Sequence, residues 1–198
     1  AVTTFETTAR RARERVRDYA AFRQQAIDAG RSQPMKRVVF APGNDPARAA
    51  DLATTLLRNG IEVQRLTAPL PATRARAYAD DAVAARTFPA GHFVVDLAQP
   101  QGRLARALLE ADPLLDPVFA KRMTDIFVRN RERGRNADDE GFEFYDITAW
   151  ALPVAFGVEA WVVEDAAPMT GEALRLPPDG APTVNGETLP VAVTGGVV

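Results

Sequence analysis

The stretch KRVVFAPGNDPARAADLATTLLRNGIEVQRL (36–66) carries the strongest fold signal in the chain. Its continuous Val38-Val39-Phe40 run predicts a buried strand over 36–41. Pro42-Gly43-Asn44 predicts a turn, and Asp45 followed by Pro46 has the form of a helix N-cap with proline at the first helical position. Ala49, Leu52, Ala53, Leu56 and Leu57 recur at helical spacing, and Asn59-Gly60 closes that helix. A second strand is expected over 61–66. Strand, helix and strand joined by short loops form a βαβ unit, which is expected to be parallel and right-handed.

Upstream, Thr3 and Thr4 can cap a helix over 3–29. Its apolar stripe is Phe5, Ala9, Ala12, Val16, Tyr19, Phe22 and Ile27, with arginines and glutamates between. Gly30 is expected to end it, with Ser32, Gln33 and Pro34 as a linker. Such a helix must lie against something, either this domain or a neighbouring one. Downstream, the Pro-, Arg- and Ala-rich stretch 69–89 is ambiguous. A buried strand is expected over 93–97, a loop over 99–102, and a helix over 103–110 with Leu104, Leu108 and Leu109 inward. Another helix is expected within 114–133, with Val118, Phe119, Met123, Ile126 and Phe127 at helical spacing. The charged, Gly-punctuated run 131–141 reads as a mobile loop. Asp146 reads as the N-cap of a short helix over 147–156, interrupted by Pro153, and 158–163 as a further strand. Asn185-Gly186 is a hairpin signal within a Pro- and Gly-rich end.

These elements predict an α/β domain over 34–165 with three layers. Its sheet would be mostly parallel, with about four or five strands, Rossmann- or flavodoxin-like in class. An amphipathic linker helix (1–33) precedes it, and a Pro/Gly-rich β extension (166–198) follows. Strand order is not readable, and no internal repeat is present.

Composition mainly excludes. The 198 residues are 46% hydrophobic and 25% charged, as in ordinary globular chains. Cysteine is absent, and His92 is the single histidine, so disulfides, thiolate chemistry and sites needing two imidazoles are ruled out. Lys and Arg total 24 against 26 Asp and Glu, a net charge of −2 with no basic footprint for nucleic acid. All the cations but Lys36 and Lys121 are arginines. No apolar run approaches a membrane span, and no signal peptide is visible. The chain starts at Ala1 without Met and ends on an apolar run closing at Val198, so an excised segment of a longer polypeptide is expected.

Candidate chemistry is sparse. Gly43-Asn44-Asp45 sits where anions or nucleotides usually bind, but both G-x-G-x-x-G and the P-loop pattern are absent, and Asp45 would oppose a phosphate; a structural turn and cap is preferred. His92 could act as a general base, but a lone imidazole at a strand entry is more often merely exposed or hydrogen-bonded. Asn136, Asp138, Asp139 and Glu140 offer hard oxygen ligands without EF-hand spacing, so a solvated loop is preferred. No G-x-S-x-G elbow exists, and Ser32, the sole serine, lies in a linker. Asp146 stands beside Tyr145 and Thr148, and capping accounts for it. Phe142, Phe144, Trp150, Phe156 and Trp161 crowd one stretch and read as core aromatics seating a helix against the sheet. Adjacent Asp80 and Asp81 point apart and make a poor acid–base couple. No catalytic or metal-ligating residue is assigned. Asn44, Gln99, Gln101 and Arg103 would line a polar cleft at the C-terminal ends of the strands.

The runs FPAGHFVVDLAQPQGRLARALLE (88–110) and FYDITAWALPVAFGVEAW (144–161) together resemble a segment of large, multidomain bacterial proteins. Those proteins begin with a zinc carboxypeptidase domain of the carboxypeptidase A-like family. The helix ending ARERVRDYAAFRQQAIDAGR (12–31) is similar to the linker helix that leaves that domain. The resemblance spans most of residues 1–164 and implies a region downstream of the peptidase domain, similar in layout to class I glutamine amidotransferase-like domains. The family's H-x-x-E zinc pair and distant histidine match no position here, nor does an amidotransferase's nucleophilic cysteine.

The resemblance implies a non-catalytic accessory domain of a zinc carboxypeptidase-like protein, packing against the peptidase domain or restricting access to it. Zinc belongs to the parent's peptidase domain and none to this segment. Export to the periplasm or beyond is implied in the same way. The rival reading is a small-molecule-binding α/β module using the Asn44, Gln99, Gln101 and Arg103 cleft.

Overall fold

The computed structural model describes residues 2–80, 82–111, 116–134, 140–141, 151–177 and 180–189. Residues 36–66 form β1 (Arg37–Phe40), α3 (Pro46–Arg58) and β2 (Gln64–Leu66). Asp45 occupies the N-cap position without a side-chain capping bond, Pro46 follows it, and Gly60 takes the left-handed conformation that ends α3, with φ +72°. Ahead of them lie α1 (Val2–Arg10) and α2 (Ala12–Ser32). After them come β3 (Leu70–Ala77), β4 (Val83–Phe88), β5 (Phe93–Asp96), α4 (Gly102–Leu109), α5 (Pro117–Arg133), α6 (Leu152–Ala155), β6 (Ala160–Val163) and β7 (Gly171–Ala173). A small hairpin, β8 (Thr183–Val184) and β9 (Glu187–Thr188), turns at Asn185-Gly186.

The expected parallel sheet of four or five strands is overturned. Among the described residues the main sheet has seven strands in the order β4-β3-β6-β1-β5-β2-β7, and every hydrogen-bonded pair is antiparallel. β1 and β2 are both antiparallel to β5, which lies between them. The helix crossover therefore joins two strands of like direction, but a strand from later in the chain is inserted between them. A Rossmann-, flavodoxin- or amidotransferase-like layout is thereby excluded.

The misleading signal was the apolar run itself. Val38, Val39 and Phe40 are all fully buried, which reports cover on both faces of β1, as in parallel sheets with helices on each side. Here only one face is covered by helices. Val38, Phe40, Phe93, Val95, Ala160 and Val162 pack with Leu52 and Leu56 of α3 and Ala105 and Leu109 of α4. On the other face Val39, Val94, Trp161 and Val163 are covered by Leu70, Ala72 and Phe88 of the β3–β4 hairpin. Chain length makes the hairpin curl. Leu66 to Leu70 spans at most about 14 Å when extended, whereas β2 and β3 stand four strand spacings apart, about 19 Å in a flat sheet. A register shift between Ala72 and Ala75 supplies the bend. Asp165 fixes it, accepting hydrogen bonds from the Thr73 amide (2.5 Å) and hydroxyl (2.6 Å).

Smaller expectations are corrected too. Gly30 does not end the N-terminal helix, which continues to Ser32; it is buried within it. α4 buries Gly102, Ala105 and Leu109, while Leu104 lies at the solvent edge. α5 buries only Ile126 and leaves Val118 and Phe127 exposed. Pro153 sits in the first turn of α6, where its missing N–H removes no helix bond. Trp161 faces the β3–β4 hairpin, not a helix, whereas Phe156 packs on the helix-covered core. The Asp146 cap, with Tyr145, Thr148, Phe142, Phe144 and Trp150, lies outside the described residues.

Candidate functional site

The four residues expected to line one cleft are divided between opposite ends of the sheet. Asn44 follows the C-terminal end of β1, where Phe40 pairs with Phe93. Gln99, Gln101 and Arg103 follow the C-terminal end of β5, where Asp96 pairs with Arg37. In a parallel sheet both ends would lie on one side. In this antiparallel one they are separated by the length of the strands, about 10 Å, before the loops are counted.

Asn44 lies in a cleft of about 380 Å³ formed by residues 41–45, Arg48 and residues 157–159. Asp45 and Arg48 pair across its rim at 3.2 Å, and Glu159 adds a second carboxylate. The Asp45 carboxylate is turned to Arg48 and makes no capping hydrogen bond to the α3 amides, so the turn stands but the expected side-chain cap does not.

Gln99 is a clamp. Its Oε1 accepts from the Glu62 amide at 2.7 Å, and its Nε2 donates to the carbonyls of Asp96 (2.7 Å) and Glu62 (3.1 Å). It is 3% exposed and locks the end of β5 to the approach to β2. Gln101 donates to the Asn59 carbonyl at 3.2 Å and accepts from Arg23. Arg103 reaches Gln25 at 3.3 Å, and its guanidinium lies 4.4 Å from the centre of the Phe22 ring. Gln101 and Arg103 therefore dock α2 against α4 and the end of α3, while Gln99 ties the end of β5 to the α3–β2 turn.

His92 sits between aromatic rings, 6.1 Å from Phe88 and 6.2 Å from Trp161, centre to centre. The Arg86 guanidinium covers Trp161 at 4.2 Å. The His92 Nδ1 is buried without a hydrogen-bond partner. Burial is the largest cause lowering its pKa, with Arg86 acting the same way against the Pro89 carbonyl and Glu159. The ring is thus a neutral member of an aromatic cluster. The neighbourhood of Phe88 and Trp161, built by the curled hairpin, carried no sequence signal.

Glu140, one of the expected hard ligands, is bound by Arg129 and Arg133, each at 2.7 Å. Its hydrogen bond from Arg129 is the largest cause holding its carboxyl below the usual range. Asn136, Asp138, Asp139 and Asp81 lie outside the described residues. Among the described residues no group of three or more His, Asp or Glu side chains is placed to hold a metal ion. No helix among them is long and apolar enough to cross a membrane.

The feature that stands out is the N-terminal helix. Only Ala26 and Gly30 of α2 are buried, where it crosses α4, and α1 buries nothing. Every residue from Val2 to Phe22 is exposed. That includes Val2 (79%), Phe5 (76%), Val16 (68%) and Tyr19 (59%). Arg11, between α1 and α2, departs from helical geometry (φ −107°, ψ 22°), and hydrogen bonds from the Arg11 amide to Thr7 and from the Arg15 amide to Arg11 bridge the break. The result is an arm of about 30 Å standing off the body. Comparison with family models, with curated proteins and with solved structures finds no match for this chain.

Proposed function

We propose that this chain is a non-catalytic interaction domain, a folded body carrying a helical arm whose apolar stripe is a protein-contact surface. The exposed stripe on the arm carries this reading. Burying a side chain such as Phe5 or Val16 is worth about 1.5–3 kcal/mol, and none of that stabilisation is realised in the isolated chain. An unsupported helix of this length is marginal in water. A partner covering the stripe would supply both deficits.

The two runs at 88–110 and 144–161 extend the proposal to the parent polypeptide. By that resemblance the domain would be an accessory part of a zinc carboxypeptidase-like, exported protein. The peptidase domain of the same polypeptide would be a neighbour, and zinc and hydrolysis of C-terminal residues would belong to that domain. The rival, a small-molecule module, is favoured by no comparable observation, because its four polar residues stand at two ends of the sheet.

Photo-cross-linking tests the contact surface. A benzophenone side chain at position 16, on the stripe, is expected to give a covalent protein adduct in the cells that make the chain. The same group at Glu14, on the polar side, is expected to give none. No adduct from position 16, or equal adducts from both positions, overturns the proposal. Chelator-sensitive turnover of C-terminal peptide substrates by this chain alone overturns its non-catalytic part.

A further inference from the structure

We infer that the occupant of the arm's stripe is the same arm of a second copy of this chain, paired antiparallel; this rests on the stripe being a protein-contact surface. Three features of the sequence on the arm carry it. First, the exposed apolar residues Val2, Phe5, Ala9, Ala12, Val16 and Tyr19 are separated by alternating steps of three and four. This is the 3.5-residue period that fits one helix to another, and it gives a seam narrower than a globular surface would need. The seam stops where the helix meets the body: Arg23, at the next seam position, bonds to Gln101 and to the Pro100 carbonyl.

Second, the seam has matching halves about its middle. Turned end for end on itself, it sets Val2 against Tyr19, Phe5 against Val16 and Ala9 against Ala12 of the second copy, each contact made twice. Large residues meet at both ends and alanines at the centre, where the backbones approach most closely. Third, the flanking charges fit this direction. Antiparallel pairing brings Glu6, which already bonds to Arg10 of its own helix at 2.5 Å, beside Arg13 of the second copy, twice by symmetry. Parallel pairing would instead set Arg13 against Thr8 and Arg15 against Ala20, with no ion pair.

Sedimentation of the full chain tests self-association. It is expected to be a dimer that Val16→Glu turns into a monomer, with the circular dichroism of the body unchanged. Glu6→Arg is expected to weaken dimerisation about tenfold, the effect of two surface ion pairs made repulsive, and Glu6→Arg with Arg13→Glu to restore it. Direction is read by cysteines, since the chain has none of its own. Val2→Cys chains mixed with Tyr19→Cys chains are expected to cross-link, and Val2→Cys chains alone are not, because antiparallel pairing keeps the two copies of residue 2 about 25 Å apart. A chain monomeric at all concentrations, a double charge variant no better than the single one, or Val2→Cys self-linking would each overturn the inference. If the chain is monomeric while position 16 still cross-links to a different protein, self-pairing fails and the contact surface stands.

Discussion

Gly30 of α2 lies so close to the carbonyl of Leu97, at the end of β5, that a Cβ on Gly30 would stand 2.1 Å from that oxygen. A Cβ on Gly102, at the start of α4, would stand 2.2 Å from the same oxygen. Two glycines on two helices thus close around one carbonyl, and this is how the arm is rooted in the body.

Gly30→Ala therefore reverses a usual expectation. In an exposed helix interior alanine gains about 1 kcal/mol over glycine. Here the methyl meets backbone that cannot swing away, and overpacking of this kind costs about 1–3 kcal/mol. Net destabilisation is expected by chemical denaturation, together with faster amide exchange across 20–32. A stabilised Gly30→Ala chain would show that α2 is not seated there.

Gln99→Leu preserves size but leaves the Glu62 amide and the carbonyls of Asp96 and Glu62 without their partner. These groups are only part-buried, so each left unmet falls at the low end of the cost of an unsatisfied polar group, about 1 kcal/mol, and a loss of about 2 kcal/mol is expected in urea titration. Asn44→Ala, in the open cleft at the other end, is expected to fall within about 0.5 kcal/mol of the parent. Equal effects at the two positions would contradict the division of these residues between clamp and rim.

Local signals were legible where one residue type has one physical use. Pro46 at a helix start, Gly60 at a helix end and Asn185-Gly186 in a hairpin turn all stand where their backbone preferences put them. Sheet direction was not legible, because Val38-Val39-Phe40 reports burial on two faces and not what does the covering. The covering hairpin was hidden in turn. In β3 the inward residues beyond Leu70 are Ala72 and Ala75, too small to mark a strand face, and the register shift between them breaks the alternation. The candidate cleft depends on the same unreadable direction, since Gln99, Gln101 and Arg103 meet Asn44 only if β1 and β5 end on the same side. The stripe from Phe5 to Tyr19 was legible, since helical period depends on no distant contact; that the helix begins at Val2, breaks at Arg11 and meets the body at Arg23 was not.

Asp165 holds the bend of β3. Burial pushes its carboxyl up, but the hydrogen bonds from the Thr73 hydroxyl and amide outweigh it and leave the pKa lowered. A lowered carboxyl pKa stabilises the fold above the unfolded-state value, and this contribution is lost as pH falls through the folded one. Asp165→Ala is expected to cost about 1 kcal/mol at neutral pH, solvent screening keeping it small, and to flatten the acid limb of the stability curve. An unchanged acid limb would remove Asp165 from that role.

His92 gives the opposite kind of group the same sign of pH dependence. Its folded pKa is lowered, chiefly by burial among Phe88 and Trp161, so the unfolded chain takes up a proton that the folded one resists. Stability should be full above the unfolded histidine value and fall as pH is lowered through that value toward the folded one. In the native protein the His92 ring protons should titrate below the ordinary histidine range. His92→Phe keeps an aromatic ring in the cluster and removes the proton, so the decline in stability just below neutral pH should shrink in that variant. A native titration at or above the ordinary value would mean that the ring is solvated or held by a carboxylate, and that the curled hairpin does not enclose it.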